Sequence, residues 1–86
     1  MTDQALLDLV RQAVTTVLAV PPQHLHAGTR LVEDLDADSL ALIEIVEVSE
    51  ERLREEGWPV WVDDGALSRL GDLGDLVTAL RPGSRR

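Results

Sequence analysis

The 86 residues of this chain predict an all-α bundle, and three observations carry that expectation. Apolar residues recur at helical spacing in three separate stretches. No stretch alternates apolar and polar residues at the two-residue period of a strand. Each helical stretch is bounded by a capping residue or by proline or glycine, where helices start and stop. Hydrophobic residues make up 44% of the chain, enough for the core of one small domain. The expected layout is three good helices and one short third helix, with a long loop after the first. Residues 1–81 form the domain in this reading and 82–86 a frayed tail.

The first helix reads "TDQALLDLVRQAVTTVL", with Thr2 or Asp3 as N-cap. Leu6, Leu9, Val10, Ala13 and Val17 share a face, and Pro21 and Pro22 stop the helix. A connection of residues 19–38 follows, too long to stay structureless inside a compact domain unless something anchors it. Leu25, Leu31, Val32 and Leu35 are the candidate anchors. His24 and His26 also lie here and read as an exposed polar pair, since only weak carboxylate partners accompany them as metal ligands. The second helix starts at Asp38 or Ser39 and ends before Gly57. On a helical wheel Leu42, Ile45, Val46, Ser49 and Leu53 share one face, while Leu40, Glu44, Glu47, Glu51 and Glu55 share the other. "GWPVWVDDGALSRLG" is a loop with a short helix near residues 64–70. The last helix is capped by Asp72 with Asp75 at the third position, carries Leu73, Leu76, Val77 and Leu80 as its apolar stripe, and ends at Pro82-Gly83.

Composition removes several classes of function. There is no cysteine, hence no disulfide, thiolate metal site or thiol nucleophile. No apolar run approaches the length of a membrane span, and "MTDQALLDLV" lacks the basic flank of a signal peptide, so the expected compartment is the cytoplasm. The net charge of −8 argues against nucleic acid and anionic membranes as partners. Residues 31–56 hold ten acids and two arginines, so the whole imbalance sits on one segment. A block of like charge is ordinarily a solvated face.

That segment begins with "EDLDADSLALIEI", residues 33 to 45, in which aspartates at every second position lead to a serine. A calcium loop starting at Asp34 would need glycine at its sixth position and glutamate at its twelfth; these are Ser39 and Ile45, so the motif fails. A helix cap accounts for Asp38 and Asp36, which meet the positive end of the helix dipole, but not for acids farther along the helix. Catalysis by Ser39 with His24 lacks a nucleophile elbow, a glycine-built oxyanion hole and a second domain to form a cleft. A serine presented for modification fits best. In the first turn it is exposed, and a phosphodiester there meets free backbone N–H groups and the helix dipole.

"EDLDADSLALIEIVE" resembles the acyl carrier protein family, whose pattern runs acid-Asp-Leu-Gly-Ala-Asp-Ser-Leu into the second helix. "DLGDLVTAL" is similar to the family's last helix, and the order of elements agrees over nearly the whole chain. The resemblance implies a four-helix acyl-carrier bundle that is not an enzyme. It implies 4′-phosphopantetheine attached covalently to Ser39, with Asp38 and Leu40 as the flanking handles for a phosphopantetheinyl transferase that draws on coenzyme A and magnesium. No metal site of its own is expected. Acyl groups would ride on the arm's sulfur, which lets a protein without cysteine manage thiol chemistry. Glu44, Glu47 and Glu51, with Ile43 as an apolar point, would dock the basic patches of acyl-transferring and condensing enzymes, with the carrier acting as a monomer.

Four departures stand out. Asp36 occupies the family's glycine position, Glu47 stands where many members present an apolar contact, and Ser49 replaces a core leucine. "GWPVWVDD" has no clear counterpart. They tilt the expectation towards polyketide or other natural-product synthesis over fatty acid synthesis. The small Ser49 invites two accounts: Trp58 or Trp61 fills the gap beside it, or the gap is an acyl cleft with a tryptophan lid. The rival readings are a peptidyl or aminoacyl carrier, which more often has Gly-Gly before Asp/His-Ser and is less acidic, and a helical adaptor that has kept the bundle and lost the chemistry.

Overall fold

The computed structural model describes residues 2–58, 62 and 64–81. Within them run four α-helices, α1 Asp3–Leu18, α2 Ser39–Glu55, α3 Asp64–Leu67 and α4 Leu73–Leu80, with a single 3-10 turn at Pro22–His24. Among the described residues there is no strand, only an isolated bridge between Arg30 and Asp72. The chain is thus an all-α four-helix bundle, as the periodicity predicts.

Local chemistry sets the helix ends. Thr2 caps α1 through its side-chain oxygen, which accepts from the Ala5 N–H. The helix ends without glycine: Ala19 takes the left-handed conformation at φ 60° and returns its N–H to Thr15, and the two prolines then prevent continuation. At the end of α2, Gly57 adopts φ 85°, its N–H reaches the Arg54 carbonyl, and the Trp58 N–H reaches back to Leu53 at 2.8 Å. This paired closure is why the helix stops at the glycine. At α4, Asp72 and Asp75 form the reciprocal capping box that their spacing predicts. The short helix ends at Leu67, earlier than the expected residue 70. The Arg69 and Leu70 N–H groups bond three residues back, and the Ser68 hydroxyl donates to the Gly65 carbonyl, which together tighten the chain out of α-helix.

Leu6, Val10, Ala13 and Val14 of α1, Ile45, Val46, Ser49 and Leu53 of α2, and Leu73, Leu76, Val77 and Leu80 of α4 form the core. Val14 joins the α1 stripe because α1 packs against both α2 and α4, while Leu9, at the edge of the buried arc, and Val17, in the last turn of the helix, are only half-buried.

The long loop is anchored, with one correction. Leu25 and Leu31 are buried and Leu35 is half-buried, but Val32 is 49% exposed. The Asp34 and Leu35 N–H groups both reach the Arg30 carbonyl, making a helix-like turn that sends Leu31 and Leu35 inward and Val32 outward. The loop also pairs with the chain entering α4. Leu31 donates to Gly71 at 2.9 Å, Leu73 to Thr29 at 3.1 Å and Gly74 to Ala27 at 2.9 Å. Arg11 ties its beginning to α1 by donating to the Pro22 carbonyl.

Candidate functional site

Ser39 is the first residue of α2, and its placement follows from the residues before it. Asp36 lies at φ 57°, a left-handed conformation that suits glycine and that aspartate tolerates better than most residues. A glycine would take this conformation without strain, and the aspartate adopts it here. Ala37 is buried, so the chain touches the core immediately before the helix. Asp38 then caps α2 in extended conformation, its carboxylate accepting from the Ala41 N–H at 2.8 Å and its carbonyl from the Leu42 N–H.

The cap leaves the N–H groups of Ser39 and Leu40 without helical partners, at the positive end of the dipole. Ser39 is exposed, and no hydrogen bond among the described residues engages its hydroxyl. A phosphodiester on that oxygen would meet unclaimed donors and open solvent, and nothing beside it is buried except Ala37. The residues present therefore fit an attached phosphopantetheine. Leu40, 65% exposed, and Ile43, 40% exposed, form an apolar tip beside the serine.

Glu44, Glu47 and Glu51 continue down the same exposed side. The ion pairs among the described residues join Arg11 to Asp8, Arg30 to Glu33 and Arg81 to Asp3, so none neutralises this stripe. Arg52, on the same helix, donates instead to Gln12 and Thr16 of α1. Glu50 differs from its neighbours: half-buried, it accepts the backbone N–H of Val62 and holds the following loop. Its place on the wheel, one turn from both Val46 and Leu53, marks it as a flank residue, a signal available in the sequence.

His24 and His26 are exposed, and the His26 ring accepts the Gly28 N–H. No group of three or more metal-binding side chains occurs among the described residues. Ser49 is wholly buried, with its hydroxyl donating to the Ile45 carbonyl at 2.8 Å. Trp58 is 40% exposed, and Trp61 lies outside the described residues. No helix among the described residues is long and apolar enough to cross a membrane.

Comparison with known proteins agrees with this geometry. The family model described as "Phosphopantetheine attachment site" matches residues 8–80. The chain is 32% identical to the acyl carrier protein of Wolinella succinogenes, the match covering 85% of this chain and 90% of that protein. It is 33% identical to the acyl carrier protein of Campylobacter curvus over 85% and 88% of the two chains. The meromycolate extension acyl carrier protein of Mycobacterium leprae is 26% identical over 94% of this chain and 66% of its own length. With the family model running from within α1 to the end of α4, the chain belongs to the acyl carrier protein family, whose members are carriers of covalently bound 4′-phosphopantetheine and not enzymes.

Proposed function

We propose that Ser39 is the residue to which 4′-phosphopantetheine is attached, and that the chain shuttles acyl groups between the enzymes of a biosynthetic pathway. One observation carries the reading: the motif serine is an exposed hydroxyl at the first position of a capped helix, with two unclaimed N–H groups beside it. The arm, when bound, supplies the thiol on which acyl groups are held as thioesters. The chain's own residues present it. Asp38 fixes the helix start, while Leu40 and Ile43 offer apolar contact. Glu44, Glu47 and Glu51 attract the basic patches of the phosphopantetheinyl transferase and of acyl-transferring and condensing enzymes. Electrostatic docking raises encounter rates without the tight binding that would stall hand-over. Residues 1–81 form the carrier unit, acting as a monomer in the cytoplasm.

The test is direct. Incubation with coenzyme A, magnesium and a broad-specificity transferase should add one phosphopantetheine by intact mass, and Ser39→Ala should add none. An unchanged wild-type mass, under conditions that load a control carrier, would support the adaptor reading instead.

The pathway in this reading is specialised, with polyketide or related natural-product synthesis ahead of fatty acid synthesis. Its support is the set of departures at Asp36, Glu47 and Ser49. A housekeeping malonyl transferase should therefore load the holo protein far more slowly than it loads a fatty acid carrier. Equal rates would return the chain to fatty acid synthesis.

A further inference from the structure

Leu31 stands at the meeting point of three segments. Its side chain is wholly buried in the core. Its N–H donates to the Gly71 carbonyl at 2.9 Å, and its own carbonyl accepts the Ala37 N–H at 3.0 Å. Gly71 enters the α4 capping box, where its N–H meets the Asp75 carboxylate at 2.8 Å. Ala37 is buried and leads directly into the Asp38 cap and Ser39. A run of hydrogen bonds, two of them backbone to backbone and one to the Asp75 carboxylate, thus joins the start of α4 to the start of α2, with Leu31 at its centre. The intervening turn at Asp36 closes on Val32, within the same loop, and its inward side chain, Leu35, is only partly buried against the core, so Leu31 is the wholly buried anchor of this turn.

We propose that Leu31 is a positioning residue for Ser39: it sets where the serine hydroxyl stands relative to the docking face of α2. The proposal rests on Ser39 being the attached residue. Docking and placement then separate physically. The acidic stripe, on the body of α2, governs how well the transferase holds the carrier. The Leu31 joint governs whether the Ser39 oxygen reaches the reacting phosphorus of coenzyme A. There the new phosphodiester forms as the pyrophosphate bond breaks, the adenosine bisphosphate portion leaves and the hydroxyl proton is released. The step is sensitive to a displacement of about 1 Å.

Steady-state loading with coenzyme A and a broad-specificity transferase tests this, at a temperature where every variant is folded. Leu31→Ala should lower kcat by about tenfold while leaving KM for the carrier within about twofold. Leu80→Ala, an equally buried leucine at the far end of α4, removes the same atoms from the core away from the joint. It should leave kcat near the wild-type value. Leu31→Met should restore most of the loss. Amide hydrogen exchange supplies a reading independent of loading: the Ala37 N–H should exchange at least about tenfold faster in Leu31→Ala than in Leu80→Ala. Should Leu31→Ala not fold, Leu31→Val carries the same comparison with a smaller change. Equal kcat losses at residues 31 and 80, or Ala37 exchange unchanged by the Leu31 variants, would overturn the proposal. Loading of Ser39→Ala would instead overturn the attachment reading and leave the exchange result standing.

Discussion

Ser39 and Ser49 lie on the same helix, and their surroundings make them chemically different groups. Ser39 sits at the first position of α2, exposed, with no hydrogen bond among the described residues on its hydroxyl. Ser49 faces the core at 0% exposure, and its hydroxyl is spent on the Ile45 carbonyl one turn back. A first-turn hydroxyl has no preceding turn to bond to, whereas a mid-helix one has a carbonyl within reach. The contrast extends to the helix as a whole. The side that carries Ser49 holds Ile45, Val46 and Leu53 in the core, and the outer side carries Leu40, Ile43, Glu44, Glu47 and Glu51 into solvent. One side of α2 therefore answers to packing and the other, in the proposed function, to partners, and substitutions should divide accordingly.

The largest expected effect is at Ser39. Replacement by alanine should abolish loading altogether, yet move stability by no more than about 0.5 kcal/mol, since the residue is exposed and the cap belongs to Asp38. Thermal or urea unfolding checks the second half. A large stability loss at Ser39 would erase the division between the two serines.

Ser49→Leu should do the reverse. Leucine puts three carbon atoms where serine has one hydroxyl oxygen, at a wholly buried position, so overpacking should destabilise the protein by about 1–3 kcal/mol while the folded fraction still loads. Stabilisation instead, read by urea unfolding, would reveal spare volume beneath α2 and revive the acyl-cleft account. Tryptophan emission compared between holo and medium-chain acyl forms then decides whether cargo enters that space.

Charge reversal on the outer side should act on rate and not on fold. Glu44→Arg with Glu47→Arg should slow transferase loading by about tenfold, and added salt should slow the wild type. Asp3→Arg with Asp8→Arg on α1 removes as much negative charge and should change loading little, although it breaks the pairs with Arg81 and Arg11. Equal slowing by both double variants would reduce the stripe to a net-charge effect.

The smallest effect concerns the approach to Ser39. Asp36→Gly relieves a left-handed aspartate but gives the unfolded chain more freedom, so the two contributions nearly cancel. Stability should rise by no more than about 1 kcal/mol, with loading unchanged. A loss of stability would mean that the aspartate side chain supports the turn by more than its left-handed backbone costs.

The sequence alone determined the helices, the ends of the three long ones and the chemistry on offer, while the short helix closed three residues before its expected end. Caps at Thr2, Asp38 and Asp72 and the stop at Gly57 are local events, settled within one turn by a side-chain oxygen or a freely turning backbone, and they are legible for that reason. Ser39 was legible too, because a short run of acids, an alanine, a serine and a leucine carries its meaning in order and spacing. Tertiary structure alone decided the rest. Periodicity could not say that Val14 would be buried and Leu9 and Val17 only half so, because the width of a buried arc depends on how many neighbours a helix has. Nor could it say that Val32 faces solvent while Leu31 locks into the core, since an irregular loop has no period from which to read a face. The partners of Leu31 are forty residues away at Gly71 and six residues on at Ala37. Backbone N–H and carbonyl groups carry no residue identity, so the sequence marks Leu31 as an anchor but not the two segments that it joins, which meet only once the bundle has closed.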